Sequence, residues 1–159
     1  LGRAISIAIP TGIMIWIFAN INIYEISILT HIANFLNPFA KVMGLDGYIL
    51  TAFIFGIPAN EIVLPILLMC YIGGNSLSNI SDTLEISNIL KCNGWNLLTA
   101  LNMMIFTVLH FPCTTTLLTI KKETGKWKWA LLAFILPTIC GIVICTFTNL
   151  IYNIFNFIF

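Results

Sequence analysis

A glutamate lies between two prolines inside a long apolar segment, and this arrangement constrains the fold more than any other feature. The stretch reads Gly56-Ile57-Pro58-Ala59-Asn60-Glu61-Ile62-Val63-Leu64-Pro65. A carboxylate at the centre of a bilayer costs about 2.5 to 3.5 kcal/mol on insertion scales, so it is normally surrounded by protein or water. Proline removes a backbone donor, which lipid tolerates only where protein or a wet cavity satisfies the freed groups. The stretch therefore predicts a broken helix that lines a pathway.

The composition indicates an integral membrane protein. Of the 159 residues, 59% are hydrophobic and 8% are charged, whereas soluble domains carry about 25% charged residues. The formal net charge is +1 and no block of like charge resembles a binding tail, so nucleic acid is not an expected partner. The five cysteines show no C-x-x-C or zinc spacing, and we expect most of them to pack as small hydrophobic side chains.

Long apolar runs predict the helices that cross the lipid bilayer. A span needs about 20 apolar residues, and approximate spans are predicted at 4–23, 48–72, 96–120 and 130–152. A shorter apolar run at 26–42 could cross, re-enter or lie in the interface. The predicted fold is an all-α, polytopic transmembrane helix bundle with two proline-broken helices.

The second broken helix is predicted within 96–120. It reads Leu109-His110-Phe111-Pro112-Cys113-Thr114-Thr115-Thr116, so a thiol and three hydroxyls follow the proline at once. When the two stretches are aligned on their prolines, Pro112 corresponds to Pro58 and Thr114 to Asn60. Paired interrupted segments of this kind point to a binding site in transporters.

Positive charge predicts the orientation in the membrane. Lysines 121, 122, 126 and 128 form a dense basic cluster, which the positive-inside rule places in the cytoplasm. If residues 26–42 cross, five spans place Arg3 and Lys41 on the same side as this cluster and Lys91 outside. If they do not, four spans place Arg3 outside. We favour five crossings, with re-entry of the two broken segments as the alternative.

Short motifs distributed over nearly the whole chain carry a family resemblance. They are Gly2-Arg3-Ala4, Trp16 with Ala19-Asn20-Ile21, Gly44-Leu45-Asp46-Gly47, Pro58-Ala59-Asn60-Glu61-Ile62-Val63, and His110-Phe111-Pro112-Cys113-Thr114-Thr115-Thr116 through Lys121-Lys122-Glu123-Thr124-Gly125. They resemble the C-terminal membrane region of the ferrous iron transport protein B (FeoB) family. The last two motifs are specific when they occur together.

The resemblance implies that residues 1–159 are the second Gate module of a ferrous iron transporter, a multi-pass protein of the bacterial plasma membrane. A cysteine that follows proline in the Gate is a proposed iron-pathway residue of that family, and here this residue is Cys113. The implied partners are the lipid bilayer, the transported Fe²⁺, an upstream half with a first Gate module and a GTPase domain, and a second copy in a homo-oligomer. Because no Gly-x4-Gly-Lys-Ser/Thr sequence is present, GTP is expected only in that other domain, and neither a cofactor nor catalysis is expected in this chain.

The residues at the two breaks supply plausible ligands for such an ion. Fe²⁺ accepts thiolate, imidazole and carboxylate ligands, and Cys113, His110 and Glu61 supply one of each. A conduction site must also release its ion, which a sparse ligand set aided by freed carbonyls permits. The further pathway candidates are Asn60, Thr114 and Thr115, and the predicted structural breaks are Pro58, Pro65 and Pro112.

Several alternatives remain open from the sequence. Glu61 could touch the ion or only hold the broken helix open, and His110 shares a helix face with Cys113 only if the intervening proline leaves the turn intact. A Gate-type transporter of an organic solute such as a nucleoside would use Asn60 and Glu61 for ribose hydroxyls. An intramembrane enzyme would use Cys113 as nucleophile and His110 as base, but no third orienting group has a recognisable spacing.

Overall fold

The computed structural model is almost entirely helical in the part of the chain that it describes. The described residues are 9, 13, 16–17, 21–23, 26–58, 60–72 and 83–158. A two-residue antiparallel pair, Asn22–Ile23 (β1) with Ile26–Ser27 (β2), precedes the helices. The helices are Ile28–Val42 (α1), Gly47–Phe55 (α2), Val63–Ile72 (α3), Thr83–Cys92 (α4), Leu97–Leu109 (α5), Thr114–Thr124 (α6) and Trp127–Ile158 (α7). The predicted first span, 4–23, lies largely outside the described residues.

Membrane-length helices are found where the sequence predicts long apolar runs. Leu97–Thr124 and Trp127–Asn156 are each long and apolar enough to cross a membrane. Ile28–Val42 and Gly47–Phe55 add a third candidate only if this pair, bent by 110°, counts as one span. The prediction of an all-α polytopic bundle with two proline-broken helices is confirmed.

The same succession of elements occurs twice along the described chain. α1 and α4 each end at a left-handed glycine, Gly44 with φ 67° and Gly94 with φ 81°, and both turns have the same backbone hydrogen bonds. An N-cap side chain follows each turn, Asp46 for α2 and Asn96 for α5. Each of these helices then ends at a proline-containing break. In the described part of the chain this succession therefore occurs twice, from α1 to α3 (the first half) and from α4 to α6 (the second half).

In the first half, α2 and α3 form a helical hairpin. Tyr71, near the end of α3, donates a hydrogen bond to the carboxylate of Asp46, which caps the start of α2. The rings of Tyr48 and Tyr71 are 5.5 Å apart, so the beginning of α2 and the end of α3 lie together. Residues 48–72, predicted as one span, thus fold as a helical hairpin whose two ends lie together.

In the second half, α5 and α6 continue across their break as one membrane-length element. The indole N–H of Trp95 donates to the hydroxyl of Tyr71 at 2.8 Å, so α5 starts beside the base of the hairpin. After a short turn, α7 runs back along both helices. The lysines at 121–128 therefore lie at the end of the bundle opposite the hairpin base.

Two asparagine side chains satisfy carbonyls at the end of α1 and in the turn that follows it. The amide of Asn102 on α5 donates to the Met43 carbonyl at 2.7 Å. The amide of Asn149 on α7 donates to the carbonyls of Lys41 and Val42 at 3.1 and 3.0 Å. Because the last carbonyls of a helix lack intrahelical partners, these amides hold the end of α1 against the spanning helices.

The apolar core lies between the hairpin and α5. Its fully buried side chains include Ile49, Phe53 and Leu67, and the rings of Phe53 and Phe106 meet edge to face at 4.8 Å. This contact joins α2 to α5 and fixes the hairpin beside the broken helix. Ala52 and Gly56, four residues apart on the hairpin, are both buried beside this core.

Candidate functional site

The two breaks meet at a single backbone carbonyl. Both the backbone N–H and the hydroxyl of Thr114, the first residue of α6, donate to the carbonyl oxygen of Ile57, at 3.0 and 3.2 Å. Ile57 lies in the hairpin turn, outside α2 and α3, so its carbonyl needs a partner within the membrane. The two stretches that the sequence pairs by their prolines are therefore in direct contact.

The break after α5 consists of extended backbone. His110 has ψ 175° and Cys113 has ψ 158°, and helix resumes only at Thr114. The ring of Pro112 prevents a helical hydrogen bond here, and the residue before a proline is driven towards extended conformations. The proline does not leave the turn intact, so the condition for His110 and Cys113 to share a helix face is not met.

His110 is buried, with one ring nitrogen oriented by the backbone. Its Nδ1 lies 2.8 Å from the carbonyl oxygen of Thr107, which can only accept, so the neutral imidazole carries its proton on Nδ1. Nε2 is buried and has no hydrogen-bond partner among the described residues. The rings of Phe53 and Phe111 flank the imidazole at 4.9 and 5.1 Å. The histidine thus presents an unshared lone pair in an aromatic surrounding.

Asn60 carries a second buried acceptor, on the hairpin side of the junction. Within the described part of the chain, its Oδ1 is buried without a hydrogen-bond partner. Leaving such a group unsatisfied costs about 1 to 3 kcal/mol. Each break therefore contributes one buried acceptor that a cation, a water molecule or another donor would satisfy.

Cys113 precedes α6 and is half-buried. Its sulfur lies 2.9 Å from the hydroxyl oxygen of Thr115 and 3.2 Å from that of Thr116. If Cys113 is ionised, its thiolate can accept hydrogen bonds from both hydroxyl groups. Thr114 and Thr115 accordingly have different contacts, the former with the hairpin carbonyl and the latter with the thiol.

Glu61 is exposed at the hairpin tip. It lies in a short 3₁₀ turn, Asn60–Ile62, just before α3. An ionised carboxylate at membrane depth is costly in lipid, so in a bilayer this side chain requires water or another protein segment beside it. Pro65 lies in the first turn of α3, where a missing N–H leaves no helical bond unmade, and the chain stays helical through it.

The candidate residues do not form a complete metal site in this conformation. Among the described residues, no three His, Cys, Asp or Glu side chains converge on one point. All five cysteines are free thiols, and Cys145 is the most buried. The structure therefore brings the two breaks together without assembling a metal site from the described residues.

Sequence reasoning missed the groups that position the junction. The carbonyls of Ile57 and Thr107 are backbone atoms, which carry no signal of their own in a sequence. The bridge from Trp95 through Tyr71 to Asp46 joins residues far apart in the chain, so no spacing indicates it.

The fold and the junction define the class of protein: an α-helical, multi-pass membrane protein with a helical hairpin set against a broken helix of membrane length. The sequence model of the Gate family, described as nucleoside recognition, matches residues 1–127, so the chain belongs to the Gate family. No solved structure matches the chain.

Curated relatives narrow this assignment to the FeoB proteins. The Fe(2+) transporter FeoB of Methanocaldococcus jannaschii is 32% identical over 140 residues, which are 86% of this chain and 20% of the relative. FeoB of Staphylococcus aureus (strain MSSA476) is 27% identical over 84% of the chain and 20% of the relative. A fusion of Fe(2+) transport protein A with FeoB in Porphyromonas gingivalis is 26% identical over 74% of the chain and 15% of its own length.

These relatives confirm the predicted resemblance to the FeoB family. They also confirm, with the membrane-length helices, the predicted localisation as a multi-pass protein of the plasma membrane. The chain spans 20% of the length of the first two relatives.

Proposed function

We propose that this chain is the permease region of a ferrous iron uptake protein, and that the ion passes where the hairpin tip meets the break between α5 and α6. The observation that carries the proposal is the contact of Thr114 with Ile57, which joins two irregular backbone segments inside the bundle. Non-helical backbone at membrane depth is tolerated where it lines a cavity or is buried in protein. The names of the relatives support Fe²⁺ as the ion.

The chemistry of the junction suits a borderline transition-metal ion. A metal-binding histidine usually donates its other ring N–H to a carbonyl or carboxylate, and His110 does so to Thr107. Imidazole and thiol donors from His110 and Cys113 favour Fe²⁺ over Mg²⁺, which prefers oxygen ligands. The amide oxygen of Asn60 and the carboxylate of Glu61 add oxygen donors on the hairpin side.

An incomplete ligand set suits a site through which an ion passes better than a site that holds the ion permanently. Conduction requires an ion to bind firmly enough to enter and weakly enough to leave. In the proposed pathway Glu61 faces water or the upstream half of the same transporter. The hydroxyl groups of Thr114 and Thr115 keep the junction and the Cys113 thiol in place and act as secondary ligands.

The proposed topology follows from the direction of the helices. With lysines 121–128 in the cytoplasm, α6 ends there, and the hairpin enters from the outer side and returns to it. Lys41 and Asn93 line the same surface cavity beside the hairpin base, so Lys41 lies outside in this topology. Placing Lys41 outside differs from the five-crossing arrangement favoured from the sequence.

In this proposal, the rest of the transporter supplies the energy for transport and the segments that line the remaining side of the ion pathway. We propose that a GTP-binding domain and a first Gate module, in the remaining length of such a protein, act with this region, and that copies assemble as a homo-oligomer. The fusion relative supports a further partner of the Fe(2+) transport protein A kind. In this proposal the chain itself carries out transport and no catalysis.

Ferrous uptake by the full-length protein in vesicles tests the proposal. His110→Ala, Cys113→Ser and Glu61→Ala are measured separately, and we expect each to reduce uptake at least severalfold. Cys140→Ser is the matched control for the thiol, because Cys140 is an exposed thiol on α7 and is not one of the pathway candidates. Normal uptake by all three variants would rule out this pathway.

Nucleoside competition in the same vesicles separates the organic-solute alternative. The family description of nucleoside recognition is the observation that favours this second function. If the junction carries Fe²⁺, a large excess of nucleosides leaves ferrous uptake unchanged. Nucleoside uptake that is lost in the Asn60 and Glu61 variants would favour the alternative.

A further inference from the structure

The turn between α6 and α7 concentrates the positive charge of the chain. Lysines 121, 122, 126 and 128 lie within eight residues that contain one acidic residue, Glu123, whereas the whole chain has seven basic residues. Lys122, Lys126 and Lys128 are exposed. The turn lies at the end of the bundle opposite the hairpin base, so none of these lysines belongs to the ion junction.

Local contacts hold this turn in a compact shape. Gly125 ends α6 in the left-handed region at φ 67°, and its N–H donates to the Lys121 carbonyl at 2.9 Å. The ammonium of Lys121 then lies 3.8 Å from the ring centroid of Trp127, within the range of a cation–π contact. The contact joins the last turn of α6 to the first residue of α7 and keeps the lysines on one small surface.

Two tryptophans fix the depth of the turn in the membrane. Trp127 and Trp129 are 61% and 54% exposed, and they begin an apolar helix that is long enough to cross the bilayer. Exposed tryptophans at the end of a spanning helix locate at the level of the lipid headgroups. The ammonium groups of Lys126 and Lys128, adjacent in sequence to these rings, are therefore at the level of the phosphates.

We propose that this turn is a binding site for the phosphate headgroups of anionic phospholipids in the cytoplasmic leaflet. The exposed lysines supply charge-assisted hydrogen bonds to phosphate oxygens, and the tryptophan rings pack among the upper acyl chains. A basic segment next to a spanning helix is attracted to anionic lipids in this way. The lipid bound there anchors the α6–α7 turn on the cytoplasmic side.

Lipid titration of the purified full-length protein tests this site. Phosphatidylglycerol and phosphatidylcholine are titrated separately into the detergent-solubilised protein, and bound lipid is counted by native mass spectrometry. We expect a clear preference for phosphatidylglycerol. In Lys126→Gln/Lys128→Gln this preference falls about 25-fold, since each lysine near the surface accounts for about a fivefold change.

A matched pair of lysines controls for the loss of charge alone. Lys41→Gln/Lys91→Gln removes the same charge at the other end of the bundle and leaves the preference unchanged. Lys126→Arg/Lys128→Arg keeps the charge and retains the preference, which separates headgroup binding from misfolding. If the glutamine pair does not fold, 0.5 M salt must abolish the preference of the unmodified protein. At that salt concentration the Debye length lies between about 3 and 10 Å, so the attraction between exposed lysines and lipid headgroups is strongly screened.

Three results would overturn the proposal. Equal binding of the two lipids would show that the lysines recognise no headgroup charge. An equal loss in both glutamine pairs would show a non-specific effect of net charge. Displacement of phosphatidylglycerol by inorganic phosphate at matching concentration would identify a site for free anions instead of lipid.

Discussion

Thr114 donates two hydrogen bonds to one acceptor, the carbonyl oxygen of Ile57, from its backbone N–H and from its hydroxyl. The two residues are 57 positions apart, and each lies at a proline-containing break. A backbone bond alone would survive substitution of the side chain, so the hydroxyl is the part of the junction that mutation can remove.

Thr114→Val should weaken the junction without abolishing it. The isosteric change removes the hydroxyl bond and keeps the backbone bond, for a loss of about 1 kcal/mol of unfolding free energy. We expect a lower melting temperature and reduced ferrous uptake in vesicles. Thr119→Val is the control, because that hydroxyl donates to the Thr115 carbonyl within α6. Equal effects of the two variants would show that the contact with Ile57 has no special role.

Tyr71→Phe should loosen the base of the hairpin. The hydroxyl donates to Asp46 and accepts from Trp95, so its loss removes both bonds and leaves the Trp95 N–H unpaired. A loss of about 1 to 3 kcal/mol follows from these two bonds. Hydrogen exchange should rise in α2 and α3, and Tyr152→Phe on the exposed face of α7 should leave it unchanged. Unchanged exchange in the hairpin of Tyr71→Phe would contradict the bridge.

Among the glycines that the structure describes, Gly47 should tolerate substitution by alanine least well. A Cβ at this position would lie 1.9 Å from the carbonyl oxygen of Ala33, so the backbones of α1 and α2 would have to separate. We expect a loss of at least about 3 kcal/mol or failure to accumulate in the membrane. Gly141→Ala is the comparison, because the nearest atom to a Cβ added there would be a ring atom of Phe106, at 3.2 Å. Similar expression and melting of the two variants would contradict the close crossing.

Gly56→Ala should disturb the hairpin tip chiefly through one side chain. The added Cβ would lie 3.0 Å from the carbonyl oxygen of Ala52, and its severest clash would be with Cγ2 of Val63, at 2.4 Å. Gly56→Ala/Val63→Ala relieves this clash, so the double variant should melt at a higher temperature than the sum of the single effects predicts. Additive losses would show that the tip is not packed as described.

The sequence identified the elements of the junction but not their contact. Glu61 and the two prolines in an apolar segment predicted a break, and the similar pattern around Pro112 predicted its counterpart, because membrane interiors exclude such residues unless they have a role. Asn60 and His110 were identified for the same reason. Which atoms they present was not predictable, since the free lone pair of His110 depends on the position of the Thr107 carbonyl.

The hairpin formed by residues 48–72 also required the structure. Apolar length alone is compatible with one crossing or with two short helices that return, and the deciding contacts join residues distant in sequence. Tyr71 reaches Asp46 across 25 positions, a relation that no local pattern encodes.

The sequence by itself determined the membrane class, the family and the places where helices break, because hydrophobicity, proline and buried charge act locally along the chain. Only the tertiary structure decided that the hairpin returns to its starting side and that its tip docks at Thr114. These features depend on packing between distant segments, whose free energy is set by shape and by satisfied backbone carbonyls.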